Sequence, residues 1–91
     1  MRTAARKDAN QAAIVAALEA AGATVWPIGL PVDLLVGYRG RNFLMECKNG
    51  ELPPSGRKFT DLQRKFMATW RGSMEIVLSA EDAVRRLGTE T

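Results

Sequence analysis

The 91-residue sequence contains no histidine and a single cysteine, Cys47. A Ser-His-Asp or Cys-His mechanism within this chain is therefore excluded. A structural zinc site needs several His or Cys ligands, and an internal disulfide needs two cysteines. The nucleotide-binding pattern G-x-x-x-x-G-K-[ST] is also missing, so we expect no nucleotide cofactor. What remains is the chemistry of carboxylates, lysine and a hard metal ion with oxygen ligands.

Long apolar runs are missing as well. No run approaches the roughly 18 residues that span a membrane, and none follows the basic N-terminus, as a secretory signal requires. The content of 46% hydrophobic and 25% charged residues is ordinary for a globular protein. A lone cysteine suits a reducing compartment. We expect one cytoplasmic domain over residues 1–91, with residues 1–8 as a flexible basic N-terminus.

Polar residues interrupt two apolar segments that are typical of β-strands. Val32–Tyr38 carries Asp33 near its start, and Asn42–Lys48 ends in Glu46-Cys47-Lys48. Side chains alternate along a strand, so Glu46 and Lys48 share one face while Cys47 points to the other as a small core residue. Charged groups in such strands are costly to bury unless they bind a partner.

The elements alternate in a way that predicts an α/β fold. We expect helices at 10–21, 60–71 and 80–87, and strands at 24–28, 32–38, 42–48 and 74–78. The short connection at residues 39–41 makes strands two and three an antiparallel hairpin. The helix between strands three and four makes that pair parallel. The prediction is a mixed four-stranded sheet flanked by helices, in the order αβββαβα.

Local signals mark the helix ends and the expected core. Asp8 or Asn10 is the predicted cap of the first helix, and Thr60 with Gln63 forms a capping-box pattern at the start of the second. On the second helix, spacing by four predicts a buried stripe of Leu62, Phe66 and Trp70. Trp26 of the first strand is also interpreted as a core residue.

The polar strand residues suit a metal-dependent site for cutting phosphodiester bonds. Asp33 and Glu46 are the predicted carboxylate ligands of Mg²⁺, with the backbone carbonyl of Cys47 as a third donor. Lys48 would orient or help deprotonate a water and offset negative charge on phosphorus. The competing interpretation is a solvent-facing Glu–Lys pair and a turn aspartate. Each residue alone favours that interpretation, whereas the apolar surroundings of all three favour a site.

These residues resemble the D…E-x-K signature of the PD-(D/E)xK nucleases. More narrowly, residues 6–87 resemble the minimal VRR-NUC domain of bacteriophages, a restriction-endonuclease-like core. The stretches that carry the resemblance are Asp8-Ala9-Asn10, Asp33-Leu34-Leu35-Val36-Gly37-Tyr38-Arg39-Gly40, Glu46-Cys47-Lys48-Asn49 and Leu62-Gln63. Two positions depart from the family pattern. Val32 separates Pro31 from the aspartate, and Gln11 stands where the first helix often carries a metal-binding glutamate.

The resemblance implies a Mg²⁺- or Mn²⁺-dependent endonuclease that acts as a homodimer on branched DNA such as four-way junctions. Gln63 would lie near the active site and contact water or phosphate, in addition to or instead of capping its helix. Gln11 would be a weaker, further metal ligand. For Asn10 the helix cap is the preferred interpretation.

Basic residues supply the expected DNA contacts, since the net charge is +3 and no motif for reading bases is present. The candidates are Arg39, Arg41, Arg57, Lys58, Arg64 and Lys65. Composition alone slightly favours a solvated helix face and a basic tail. Two other functions therefore stay open: a noncatalytic DNA-binding or assembly module with the same fold, and a small structural protein whose cations only aid solubility.

Overall fold

The computed structural model describes residues 2–50 and 59–88. The elements in chain order are α1 (Arg2–Ala20), β1 (Thr24–Pro27), β2 (Leu34–Tyr38), β3 (Arg41–Cys47), α2 (Asp61–Thr69), β4 (Glu75–Val77) and α3 (Ala80–Arg85). The predicted α/β fold with a mixed four-stranded sheet and helices is confirmed. Within the described residues, none of the helices has the length and apolar character that crossing a membrane requires.

The strands lie in the order β1-β2-β3-β4. The first two pairs are antiparallel and β3–β4 is parallel, as the hairpin and the helical crossover predict. The hairpin turns at Arg39 and Gly40, whose φ angles of 52° and 79° are both positive. Two-residue turns with this backbone match the twist of the flanking strands. The turn therefore fixes the register in which β2 pairs with β3.

Helices α1 and α3 pack on each other and cover one face of the sheet. Alternate strand residues point into this core. Its fully or nearly fully buried members are Ile14, Leu18, Leu34, Val36, Met45, Cys47, Val77, Ala83 and Leu87. Each large side chain buried there contributes roughly 1.5–3 kcal/mol. The predicted place of Cys47 in the core is confirmed.

Helix α1 begins at Arg2, so the prediction that Asp8 or Asn10 caps its start is wrong. Residues 2–8 belong to the helix. Residues 2–9 include three alanines and contain no glycine or proline. High helix propensity therefore carries the helix past both candidate caps. At the other end, Gly22 has a φ of 101° and ends the helix as predicted.

The predicted capping box at the start of α2 is confirmed, but the predicted buried stripe is not. Leu62 and Trp70 are 48% and 46% exposed, and the buried residue of this helix is Gln63. Phe66 is partly buried and stacks on Trp70 with ring centroids 5.1 Å apart. Trp70 already has extended backbone angles, because the helix ends at Thr69. The inward face is thus rotated by one residue from the apolar stripe.

The face of the sheet opposite to α1 and α3 is partly open. Trp26 pairs with Leu35 across β1 and β2, and these side chains are 66% and 39% exposed. The prediction that Trp26 is a core residue is therefore wrong. The physical reason is the placement of α1 and α3 on the same face, which leaves this cross-strand pair without cover from them.

A carboxylate organises the junction between β4 and α3. Ser79 caps α3 and accepts a hydrogen bond from Asp82 N, and Asp82 Oδ2 accepts one from Leu78 N at 3.0 Å. Burial opposes the charge of Asp82. The Leu78 hydrogen bond and the guanidinium groups of Arg86 and Arg85 outweigh that burial and hold the Asp82 pKa below its ordinary 3.8. The hydrogen bond from Arg86 to Glu75 raises the Arg86 pKa.

Candidate functional site

Asp33 and Glu46 lie opposite each other at one end of the β2–β3 hairpin. The last paired residues at this end are Leu34 and Met45. Continuing the same register by one step places Asp33 opposite Glu46. Directly opposed residues of antiparallel strands share a face of the sheet. The two carboxylates therefore meet on the face away from Met45 and Cys47.

Hydrogen bonds from backbone to side chain join the two strands at this point. Asp33 N donates to Glu46 Oε1 at 3.1 Å, and Cys47 N donates to Asp33 Oδ2 at 2.8 Å. Both bonds are buried. Each carboxylate thus accepts a backbone N–H from the opposite strand, and these hydrogen bonds fix the orientation of both side chains.

The carboxylate pair is shielded from solvent. Glu46 is completely buried, Asp33 is 8% exposed and Lys48 is 9% exposed. Lys48 Nζ lies 3.4 Å from Glu46 Oε2. An ion pair at this depth loses most of its hydration, and its attraction offsets that loss only when the remaining polar atoms are also satisfied. The site therefore depends on the groups around these three residues.

Gln63 supplies one of those groups, because it completes the predicted capping box and also contacts Glu46. Its Oε1 accepts a hydrogen bond from Thr60 N at 3.0 Å and its backbone N donates to Thr60 Oγ1 at 3.1 Å, which completes the capping box. Its Nε2 donates to Glu46 Oε2 at 2.5 Å. The amide orientation is set by these partners, since only Nε2 can donate to a carboxylate. One side chain thus caps α2 and holds Glu46.

Two residues that sequence reasoning did not place at the site contact Lys48. Lys48 Nζ lies over the ring of Phe59, 4.7 Å from its centroid. Asn10 Nδ2 donates to the backbone oxygen of Lys48 at 2.9 Å. The preference for Asn10 as a helix cap is wrong, because α1 runs past it and its amide reaches the end of β3. For Asn10, the sequence signal for a role at the site is a polar residue within a helical segment. For Phe59 the sequence contains no such signal, since it reads as a loop residue.

Gln11 is not among the residues that the structure brings to the carboxylates. It lies one position after Asn10 on α1 and lines a surface groove with Ala12, Val15, Ala16 and Glu19. Successive helix residues point about 100° apart. The helix turns Asn10 toward β3, and Gln11 accordingly faces a different surface.

The predicted DNA-binding residues fall into separate places. Arg39 and Arg41 lie at the hairpin turn, about 17 Å along β3 from Glu46. Arg41 donates to the Leu87 carbonyl at the end of α3 and stacks over Phe43, so it also ties the hairpin to that helix. The other described candidates, Arg64 and Lys65, are exposed on α2, the helix that carries Gln63. Arg57 and Lys58 lie outside the described residues.

The donors at the site suit a hard divalent ion that keeps several waters. Asp33 and Glu46 offer carboxylate oxygens side by side, and the main chain of Cys47 lies between Glu46 and Lys48. Mg²⁺ is commonly held in this way, by one or two carboxylates together with substrate phosphates. In residues 2–50 and 59–88, no cluster of three or more His, Cys, Asp or Glu residues is found. A zinc site built from protein ligands does not fit this donor set.

Comparison with known proteins adds no relative. No protein-family model, no curated protein and no solved structure matches this chain.

Proposed function

We propose that this chain is a Mg²⁺- or Mn²⁺-dependent endonuclease that hydrolyses phosphodiester bonds in branched DNA such as four-way junctions. The observation that carries the proposal is the buried arrangement of Asp33 and Glu46 with Lys48 Nζ 3.4 Å from Glu46. Buried charges are costly, so acids and an amine kept together at the end of two strands are better explained by chemistry than by stability.

The reaction needs few groups. A water oxygen bonds to phosphorus, one ester P–O bond breaks, and the departing oxygen takes up a proton. Negative charge grows on the phosphoryl oxygens in the transition state, and groups fixed in advance around that charge lower the barrier. When bound, the metal ion polarises the phosphoryl oxygen and lowers the pKa of its water.

The chain's own residues have distinct tasks in this proposal. Asp33 and Glu46, with the Cys47 carbonyl, hold the ion. The Lys48 ammonium orients the attacking water and offsets charge on phosphorus. Gln63 keeps the Glu46 carboxylate in one orientation through its 2.5 Å hydrogen bond. Since Gln63 is also part of the capping box, the start of α2 positions the site.

DNA is the substrate that the surrounding charge favours. Arg64 and Lys65 are exposed on the helix that contacts the site, and Arg57 and Lys58 directly precede Phe59 in the sequence. Basic side chains grip phosphates without reading bases, so the shape of the DNA selects the substrate. A single small domain covers little of a junction. A homodimer with twofold symmetry would place one active site on each of two opposed strands of the junction.

The test is cleavage of a four-way junction, a flap and a linear duplex with Mg²⁺, Mn²⁺ or chelator. Wild-type protein should cut the junction only with metal. Glu46→Gln should lower the rate at least a hundredfold, on the scale of losing one charge-stabilising group. Glu19→Gln is the matched control, because it makes the same change at an exposed position on α1.

Two results would contradict the proposal. Equal cutting by wild type and Glu46→Gln would indicate a contaminant. Junction binding that weakens with salt, without any cutting, would instead favour the noncatalytic DNA-binding module.

A further inference from the structure

The backbone of Lys48 lies where the sheet loses its last strand. Lys48 N donates to Val77 O at 3.0 Å, and Val77 is the last residue of β4. In the following residue, Leu78 N donates to Asp82 Oδ2 at 3.0 Å, while Leu78 O still accepts a hydrogen bond from Gly50 N at 3.2 Å. Ser79 then caps α3. Beyond this point, side-chain groups join the backbone hydrogen bonds in holding the end of β3.

Asn10 provides such a group from helix α1. Its Nδ2 lies 2.9 Å from the Lys48 carbonyl oxygen, a good donor distance. Four and eight residues further along α1, Ile14 and Leu18 are completely buried against the sheet. Because these core contacts hold α1 in place against the sheet, they also hold the side-chain amide of Asn10 in place. Asparagine has lower helix propensity than alanine, so a residue that costs helix stability is held at the position that reaches β3.

We propose that Asn10 is a positioning residue for Lys48. By holding the Lys48 carbonyl, it sets the backbone from which the side chain extends, and so keeps Nζ at 3.4 Å from Glu46 Oε2. Asn10 touches no reacting atom in this proposal. Its effect on cleavage rests on the proposed nuclease function, whereas its effect on Lys48 does not.

The experiment compares Asn10→Asp and Asn10→Ala with the matched control Asn42→Asp. Aspartate keeps the shape of asparagine but cannot donate from its ionised carboxylate. Alanine removes the donor and favours the helix, so this variant keeps the fold. Asn42 is exposed on β3 and outside the site. The readouts are the NMR signals of the Lys48 ε-methylene and ammonium groups, the thermal midpoint, and kcat and KM for the junction.

Both Asn10 variants should shift the Lys48 signals, while Asn42→Asp leaves them in place. In an active enzyme, kcat should fall about 10- to 100-fold with KM nearly unchanged, the usual effect of losing an outer-shell hydrogen bond. Unshifted Lys48 signals in a folded Asn10→Ala protein would overturn the proposal, as would unchanged kcat. If wild type cuts no DNA but the signals shift, the nuclease function fails and the positioning role stands.

Discussion

Gln63 and Glu46 join helix α2 to strand β3 through a hydrogen bond of 2.5 Å between Nε2 and Oε2. In the described part of the chain, no Cα atom of α2 lies within 8 Å of a Cα atom in another helix or strand. The attachment of this helix to the sheet therefore depends on side chains, with a buried carboxylate as one of the partners.

The first prediction separates the two roles of Gln63. Thr60→Ala removes the cap hydroxyl and should cost about 1 kcal/mol of unfolding free energy. Gln63→Ala keeps the backbone N–H that binds the Thr60 hydroxyl, but it removes the acceptor of Thr60 N and a donor to a buried charge, so it should cost about 1–3 kcal/mol or more. Urea unfolding measures both. Cleavage should fall markedly for Gln63→Ala and little for Thr60→Ala; equal loss in the two variants would assign Gln63 to capping alone.

The second prediction concerns the buried ion pair. Lys48→Met keeps much of the apolar stem but removes the ammonium 3.4 Å from Glu46, which should cost on the order of 3–5 kcal/mol. Adding Glu46→Gln should restore part of that loss, because the buried negative charge is then removed together with the ammonium. Urea unfolding of the singles and the double gives the coupling energy. Additive losses would mean that the two side chains do not interact.

The third prediction tests the ring under Lys48. Phe59→Leu removes the aromatic face but keeps an apolar side chain, so the ammonium loses about 0.5–2 kcal/mol of attraction. If this attraction is lost in the transition state, the cleavage rate should fall roughly 2- to 30-fold. Phe43→Leu is the matched control, since Phe43 makes a similar contact with Arg41 at the other end of β3. It should lower the thermal midpoint without a comparable loss of rate.

The fourth prediction is a dependence of stability on pH. The Asp82 pKa is lowered below 3.8 in the folded protein. As pH falls, the unfolded chain therefore takes up this proton first, and the unfolding free energy decreases below about pH 4. Asp82→Asn should lower stability at neutral pH and flatten this acid slope. Asp61→Asn, at a fully exposed side chain, should keep the wild-type slope in thermal melts between pH 2 and 7.

The sequence was sufficient for the elements that carry strong local signals. Ser79 and the Thr60–Gln63 box mark helix starts, and Arg39-Gly40 marks the hairpin, because caps and tight turns need particular residues at particular positions. These signals are local in sequence. Together with the apolar strands, they predict the mixed sheet.

Contacts between distant residues were not accessible in this way. Helix α2 turns Gln63 toward the buried Glu46, to which it donates, whereas apolar spacing alone favours Leu62 and Trp70. The start of α1 follows from helix propensity winning over two possible caps. Asn10 reaches Lys48 only because the core places α1 beside the end of β3, and no pattern in the sequence encodes that distance.

The two-residue turn at Arg39 and Gly40 sets the strand register on which the candidate site depends. It lies about 20 Å along the strand from Glu46, yet its length decides which residues of β2 and β3 stand opposite each other. One added residue there would slide β3 by a single position, which exchanges the two faces of a strand. Asp33 would then face a side chain from the apolar core. A surface turn far from the chemistry thus determines whether two acids meet at all.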